Sequence, residues 1–417
     1  MRKSAAVAFA ACAALSVGMM PAYAAPADDA SQQTGDYIVV LEQGADAPAL
    51  AQQAVQGLGA EVTNVFRTAV NGYSATLTRE AKDRLEADPN VAYVQEDKEV
   101  RAFAQPSPQA QVTPTGIDRS EADQSPTAAI DGNDDRVDVD VAVIDTGVDL
   151  DHPDLNVNQE GAKNCSLLGL TPDDMNGHGS HVAGTVGALD NGDGVVGMAP
   201  GARIWPVKVL NALGAGSTSD VICGIDYVAA NADKIEVANM SLGGQGTDDG
   251  NCGRTNGDAQ HEAICNAVGA GVTFVVAAGN DSADAANSTP AAYDEVITTS
   301  ALADFNGQPG GGAAATCRED VDDTFADFSN FGPDIDLIAP GTCIDSTWMN
   351  GGRNTISGTS MASPHVAGAA ALHKATNPGD TPAQVQSALQ AAGTNDWIFP
   401  SEDPDGTQEP LLNVDGF

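Results

Sequence analysis

Cations are what this chain has least of. Its 417 residues include 18 Lys and Arg against 58 Asp and Glu, a formal charge of −40 at pH 7. From Ala104 to Phe417 we count 10 Lys plus Arg and 45 Asp plus Glu, a difference of −35. Such a surface repels nucleic acid and anionic membranes, so neither is an expected partner. Long apolar runs are missing too. Ala5–Val17 is too short to cross a bilayer, and no other stretch reaches the length required. It follows Arg2 and Lys3 and precedes Ala22-Tyr23-Ala24, the pattern of a secretory signal peptide cut after Ala24. The mature protein is therefore expected to be secreted and soluble. No Cys-x-x-Cys pair or His-rich spacing is present, which argues against zinc. Cys12 leaves with the signal peptide, and Cys165, Cys223, Cys252, Cys265, Cys317 and Cys343 remain, an even set suited to disulfides in an oxidising compartment. Neighbours in sequence would pair Cys252 with Cys265 and Cys317 with Cys343, leaving Cys165 with Cys223; other connectivities stay open.

What is present reads as two globular units. Asp36–Leu41, Ala60–Phe66, Gly72–Leu77 and Val91–Val94 have strand patterns, with helices expected at Ala47–Gly57 and Arg79–Ala87. That β-α-β-β-α-β order is a small ferredoxin-like α+β unit. Phe103–Pro114, rich in Gln, Pro, Ser and Ala, reads as an exposed linker. Beyond it, strands at Val137–Asp145, Ile204–Leu210, Val237–Met240 and Val272–Ala277 alternate with helices at His178–Leu189, Asp220–Asn231 and Gln260–Ala270. Two final helices are expected at Pro364–Lys374 and Thr381–Ala392. The alternation implies an α/β fold, a parallel sheet covered on both faces with function at the carboxyl ends of its strands. No internal repeat is evident.

Polar residues stand at those ends. Val141-Ala-Val-Ile-Asp145-Thr-Gly147 closes a buried strand with a carboxylate, and Asn176-Gly-His178-Gly-Ser-His181 opens a helix with an imidazole. Val275-Val-Ala-Ala-Gly-Asn280 ends another strand with an amide, and Gly358-Thr-Ser360-Met-Ala-Ser-Pro364 sets a hydroxyl before a helix. Singly, each has a structural explanation as a cap or turn residue. Together they supply an acidic orienter, a base, a nucleophile and an oxyanion donor in the chain order Asp, His, Ser. The Gly-x-Ser-x-Gly elbow of α/β-hydrolases is absent, which disfavours an esterase. His181 and His365 read as packing residues.

The Asp145, His178 and Ser360 motifs resemble those of subtilisin-family serine peptidases without gaps, from about Gln111 to the last helices, and residues 36–100 resemble the family's inhibitory prodomain. The resemblance implies a subtilisin-like three-layer fold with a mainly parallel sheet, preceded by the α+β prodomain. The implied boundaries are a signal peptide at 1–24, prodomain and linker at 25–103 and peptidase at 104–417. Ser360 is then the nucleophile, His178 the general base and acid, Asp145 the group holding the imidazole tautomer, and Asn280 with the Ser360 N–H the oxyanion hole. Gly214, Gly216, Ser241, Leu242 and Gly243 correspond to segments that pair with a peptide substrate, and Ala278 and Gly279 to a wall of the primary pocket, with Asn287–Pro290 near its floor. Thr218 stands where relatives often carry an aromatic, which weakens any second apolar preference.

The segment Ala188–Gly197 resembles a calcium-binding loop of the family, with Gln111, Asp154, Asn191 and the backbone oxygens of Leu189, Asp193 and Val195 at its ligand positions. Mixed oxygen ligands suit Ca²⁺. A zymogen is expected, with protein or peptide substrates, its own prodomain as intramolecular inhibitor and folding aid, and a monomeric state. Val100–Phe103 should end the last prodomain strand and fill the pockets, with self-cleavage after Phe103 or a few residues later. The alternative is a catalytically silent peptide-binding protein on the same fold.

Overall fold

Strand, capped helix and turn follow one another in the first unit as local chemistry dictates. A computed structural model describes residues 34–102, 105–106, 114–167, 171–399 and 403–417. The signal peptide, most of the linker, Phe103 and Gln111 lie outside the described residues. Thr34–Leu41 leads to the helix Ala47–Leu58, whose first turn is capped by the Asp46 carboxylate on the Ala49 N–H at 3.1 Å. Glu61–Phe66 and Gly72–Thr78 follow, then the Thr78-capped helix Arg79–Glu86 and the strand Val91–Glu96. All neighbours in this four-stranded sheet are antiparallel, and Val39, Leu41, Tyr73, Leu77 and Leu85 form a core of its own beneath the helices.

The second unit is built on a mainly parallel sheet. Its parallel strands run, across the sheet, Leu337–Pro340, Ile297–Ala303, Thr273–Ala277, Ile235–Met240, Asp140–Asp145, Arg203–Lys208 and Lys163–Asn164, with Thr324–Phe325 antiparallel to Ile297–Ala303. Strand order reverses between Asp140–Asp145 and Ile235–Met240, where α/β sheets open a crevice at their carboxyl ends. On one face Val182, Val186, Met361, Val366 and Leu372 from the helices His178–Gly187 and Thr359–Thr376 pack against alternate strand residues such as Val141 and Val143. On the other, Ile222, Ile225, Ile264 and Ala267 from Thr218–Ala230 and Ala259–Gly269 cover Ala142, Ile144 and Phe274. The disulfides are Cys165–Cys223, Cys252–Cys265 and Cys317–Cys343.

Three expectations need correction. The helix expected from Pro364 begins five residues earlier, at Thr359, with the proline inside it. Proline cannot donate to the carbonyl four residues back, here that of Ser360. The Ser241 hydroxyl fills the vacancy, donating to Ser360 O at 2.8 Å. Second, Val100–Ala102 does not extend the sheet of the first unit: Glu99–Ala102 is a separate strand paired with the second unit. Third, the strands Ile297–Ala303, Leu337–Pro340, Ile344–Trp348 and Gly352–Ser357 have no counterpart in the sequence reading.

Candidate active site

The crevice gathers residues from five segments. Asp145 is the last residue of its strand and fully buried; one of its oxygens accepts the Thr146 N–H at 2.6 Å and contacts His178 Nδ1 at 2.7 Å. That contact fixes Nδ1 as the protonated nitrogen and turns Nε2 toward the crevice. The start of the His178 helix is itself anchored by Asp174. Its oxygens accept the Asn176 and Gly177 N–H groups at 2.9 Å each, the Thr146 hydroxyl at 2.9 Å, and the Ser180 N–H and hydroxyl at 3.0 and 2.7 Å. A carboxylate there answers the unsatisfied donors and positive pole of a helix N-terminus. Gly177 has φ of +105°, and a Cβ on it would lie 2.1 Å from the Trp348 ring, so both conformation and space require glycine. The buried Lys208, opposite Asp145 in register, donates to Thr146 O. Burial holds its pKa below the usual lysine range against the pull of Asp174 and Asp145.

Ser360 is the second residue of its helix, in the turn whose N–H groups have no intrahelical acceptor. Its Oγ donates to Ser241 O at 3.2 Å, and His178 Nε2 has no hydrogen-bond partner among the described residues. Hydroxyl and imidazole are therefore not hydrogen-bonded in this state; catalytic contacts of this kind often tighten only in the transition-state complex. Asn239 links the strand end to the helix: Ser363 Oγ donates to its Oδ1 at 2.7 Å and its Nδ2 donates to Ser241 Oγ at 2.9 Å.

Asn280 is held from the Ser360 side. Thr359 N–H and Oγ1 both donate to Asn280 Oδ1 at 2.9 Å, while Oγ1 accepts the Gly279 N–H at 3.1 Å. With its oxygen so occupied, the amide offers its NH₂ end to the crevice. Gly279 has φ of +109°, and Ala278 O accepts Asn330 Nδ2 at 3.0 Å.

The peptide side of the crevice is occupied by the chain's own strand. Glu99–Ala102 lies antiparallel between Ala215–Ser217 and Leu242–Gln245, with Val100 opposite Gly216, Arg101 opposite Gly243 and Ala102 opposite Leu242. Gln105–Pro106 then pairs with Ile356–Ser357, immediately before Gly358-Thr359-Ser360. Gly214 does not pair; it turns the chain into that rim, its N–H donating to Asn211 O at 2.9 Å. Ser241 likewise faces Ser360 rather than the inserted strand. Thr218 donates its N–H to Lys98 O at 2.7 Å and lines, with Val100, Gly244 and Tyr293, a cleft of about 600 Å³.

The first unit also bonds the helix starts of the second. Asp97 accepts the Ser219 N–H at 2.8 Å, Gln95 accepts the Ala259 N–H at 2.7 Å, and Tyr93 donates to Glu262 at 2.9 Å. Asp226 in return accepts the Thr68 and Ala69 N–H groups at 2.5 and 2.6 Å.

Away from the crevice, Asp154 is buried beside Ala188–Gly197. Its oxygens accept Asn191 Nδ2 at 3.1 Å and the Val195 N–H at 2.9 Å, and the Leu189 N–H donates to its carbonyl at 3.1 Å. A Cβ on Gly194 would fall 2.1 Å from its carboxylate. Asp193 sits at the loop tip, its N–H on Asn191 Oδ1 at 2.8 Å. His181 and His365 are packing residues: burial pushes their pKa values down to about 3 and about 4, and His181 Nε2 bonds Ile344 O at 2.9 Å.

Asp174, Thr146, Thr359, Asn239 and Lys208 escaped the sequence reading. Only Asp174, a capping residue just before a helix start, carried a usable signal.

Residues 137–407 match the subtilase family, and residues 36–103 match the peptidase inhibitor I9 family. The chain belongs to the subtilase family. An extracellular serine proteinase of Thermus sp. (strain Rt41A) is 39% identical over 85% of this chain and 84% of its own length. Subtilisin NAT of Bacillus subtilis subsp. natto is 36% identical over 86% of this chain and 85% of its own. A crystal structure of a cold-adapted subtilisin-like serine proteinase superposes with a TM-score of 0.55 at 34% identity, covering 73% of this chain and 99% of that one. The protein is thus a serine endopeptidase carrying an inhibitory prodomain. The silent peptide-binding alternative finds no support.

Proposed function

We propose that Ser360, His178 and Asp145 are the catalytic triad of a secreted endopeptidase that cuts its own prodomain. Ser360 Oγ attacks the scissile carbonyl while its proton passes to His178 Nε2; Asp145 holds Nδ1–H and offsets the charge formed. The carbonyl oxygen becomes an oxyanion facing Asn280 Nδ2 and the Ser360 N–H. His178 then returns the proton to the leaving amine, and water hydrolyses the acyl-enzyme by the same steps in reverse.

One observation carries the reading. The chain is paired to the cleft up to Ala102 and again from Gln105, on either side of the Ser360 segment. A strand held by its backbone in this way binds as a substrate does. Gly216, Leu242 and Gly243 are its pairing partners, Gly214 and Ser241 shape the rim and the Ser360 end, and Ala278 and Gly279 belong to the pocket wall. Cleavage follows Phe103, dividing the chain into signal peptide 1–24, prodomain 25–103 and peptidase 104–417. The product prodomain stays docked through the helix-capping contacts and inhibits. Ser360→Ala should accumulate as the uncut chain, seen by intact-mass measurement; a Ser360→Ala protein with a matured N-terminus would refute self-processing.

The Asp154 loop is read as a structural calcium site, with Asn191 and backbone oxygens of Leu189, Asp193 and Val195 beside it and Gln111 as a further ligand. Its buried carboxylate fits a hard cation with oxygen ligands. Calcium would supply fixed positive charge that ties the loop to the strand-end segment. Export is supported by the three disulfides and by the extracellular relative.

A further inference from the structure

Near the carboxyl terminus, Asp403-Pro-Asp405-Gly-Thr-Gln-Glu409 brings three carboxylates together, with one oxygen of each lying within 4.8 Å of the others. Asp403 is 8% exposed and Glu409 2%. Both Glu409 oxygens and Asp403 Oδ2 have no hydrogen-bond partner among the described residues. Two buried carboxylates facing each other with neither donor nor cation are costly to leave so. A cation among them would answer both the repulsion and the unpartnered oxygens. The turn already points inward: Asp403 accepts the Asp405 N–H at 3.2 Å, Asp405 accepts the Thr407 N–H at 2.6 Å, and Gly406 turns at φ of +75°.

We propose that Asp403, Asp405 and Glu409 form a calcium-binding loop, separate from the Asp154 loop. The donors are all carboxylate oxygens, the hard set that Ca²⁺ prefers, and a span of 4.8 Å fits across a coordination sphere with Ca–O of about 2.4 Å. Water and backbone oxygens fill the remaining positions. The loop is closed at its base, where Leu411 exchanges backbone bonds with Thr394 and Pro410 O accepts the Ile338 N–H. The ion therefore fastens the carboxyl-terminal segment to the edge of the main sheet.

Trp397 provides a local reporter, since its indole N–H donates to Glu409 O at 3.0 Å. Terbium(III), a calcium mimic excited through nearby tryptophan, is titrated into calcium-depleted full-length Ser360→Ala protein. The expected result is tryptophan-sensitised emission that Ca²⁺ competes away. It should fall at least tenfold in Trp397→Phe and in Glu409→Gln, and persist in Asp154→Asn. Asp405→Asn, at an exposed position, guards against a folding defect in Glu409→Gln and should weaken terbium affinity at least tenfold. Emission absent in Ser360→Ala, or unchanged by Glu409→Gln and Asp405→Asn, overturns the proposal. Emission lost only in Asp154→Asn overturns it as well, by assigning the ion to the other loop.

Discussion

Thr359 gives the sharpest test of how the proposed oxyanion site is built. Its hydroxyl supplies one of two bonds to Asn280 Oδ1, each 2.9 Å, and accepts the buried Gly279 N–H at 3.1 Å. Thr359→Ala removes the hydroxyl and keeps the backbone bond, so the Asn280 amide loses half of its anchorage. A neutral hydrogen bond of this kind contributes about 1 kcal/mol, and the orphaned N–H costs about 1–3 kcal/mol. Only the part that misaligns Asn280 in the transition state appears in turnover, which sets the expected loss near tenfold, about 1.4 kcal/mol. The ceiling is loss of the donor itself, about 10²–10³ in kcat, a figure that was obtained at an asparagine of a subtilisin. The assay is steady-state hydrolysis of a chromogenic peptide by wild type, Thr359→Ala, Thr359→Ser, Asn280→Ala and the Thr359→Ala/Asn280→Ala pair. We expect kcat to fall with KM nearly unchanged, Thr359→Ser to recover most of it, and the pair to be no worse than Asn280→Ala alone. An equal loss from Thr359→Ala with and without Asn280 would refute the positioning role.

Further outcomes follow from the prodomain and the loops. Burial raises Asp97, and burial with the Asp97 charge raises Asp220 to about 6, so the docked state holds protons that the separated parts release. Docking should be strongest below about pH 4, the free carboxylate range, and weaken as pH rises to about 6, by at most about tenfold per unit for each proton linked. The fraction of peptidase freed from cut precursor should therefore climb between about pH 4 and 6 and level off above it, and climb less in Asp220→Asn; tighter inhibition at pH 6 than at pH 4 would contradict this. Asp174→Ala leaves five donors unanswered, four at the start of the His178 helix and the Thr146 hydroxyl, and should lower stability by about 3 kcal/mol, read from denaturant melts, with kcat falling too. Chelation should lower Tm more in wild type than in Asp154→Asn, and an equal drop in both would remove the Asp154 loop from the account.

Much of this was legible in the sequence, for definite reasons. Asp145, His178 and Asn280 were visible because each polar residue interrupts a run that sheet or helix packing would otherwise keep apolar. The helix start at Thr359 was hidden because Pro364 signals a beginning, and only the Ser241 hydroxyl on Ser360 O lets the helix run past it. Ile297–Ala303 was missed because Thr298, Thr299 and Ser300 break the apolar pattern, yet all seven residues are buried. Asp174 and Thr359 act through bonds between segments distant in sequence, which no local pattern encodes. The insertion of Glu99–Ala102 between two peptidase strands is likewise a matter of tertiary pairing, and the apolar character of Val100 hinted only at a pocket.

The central claim is that Ser360 is a nucleophile activated by His178. Labelling matured protein with a peptidyl phosphonate, followed by mass mapping, tests it most directly. The account predicts one adduct, on Ser360, whose rate collapses in His178→Ala. An adduct on another residue, or undiminished labelling of Ser360 without the histidine, would contradict it.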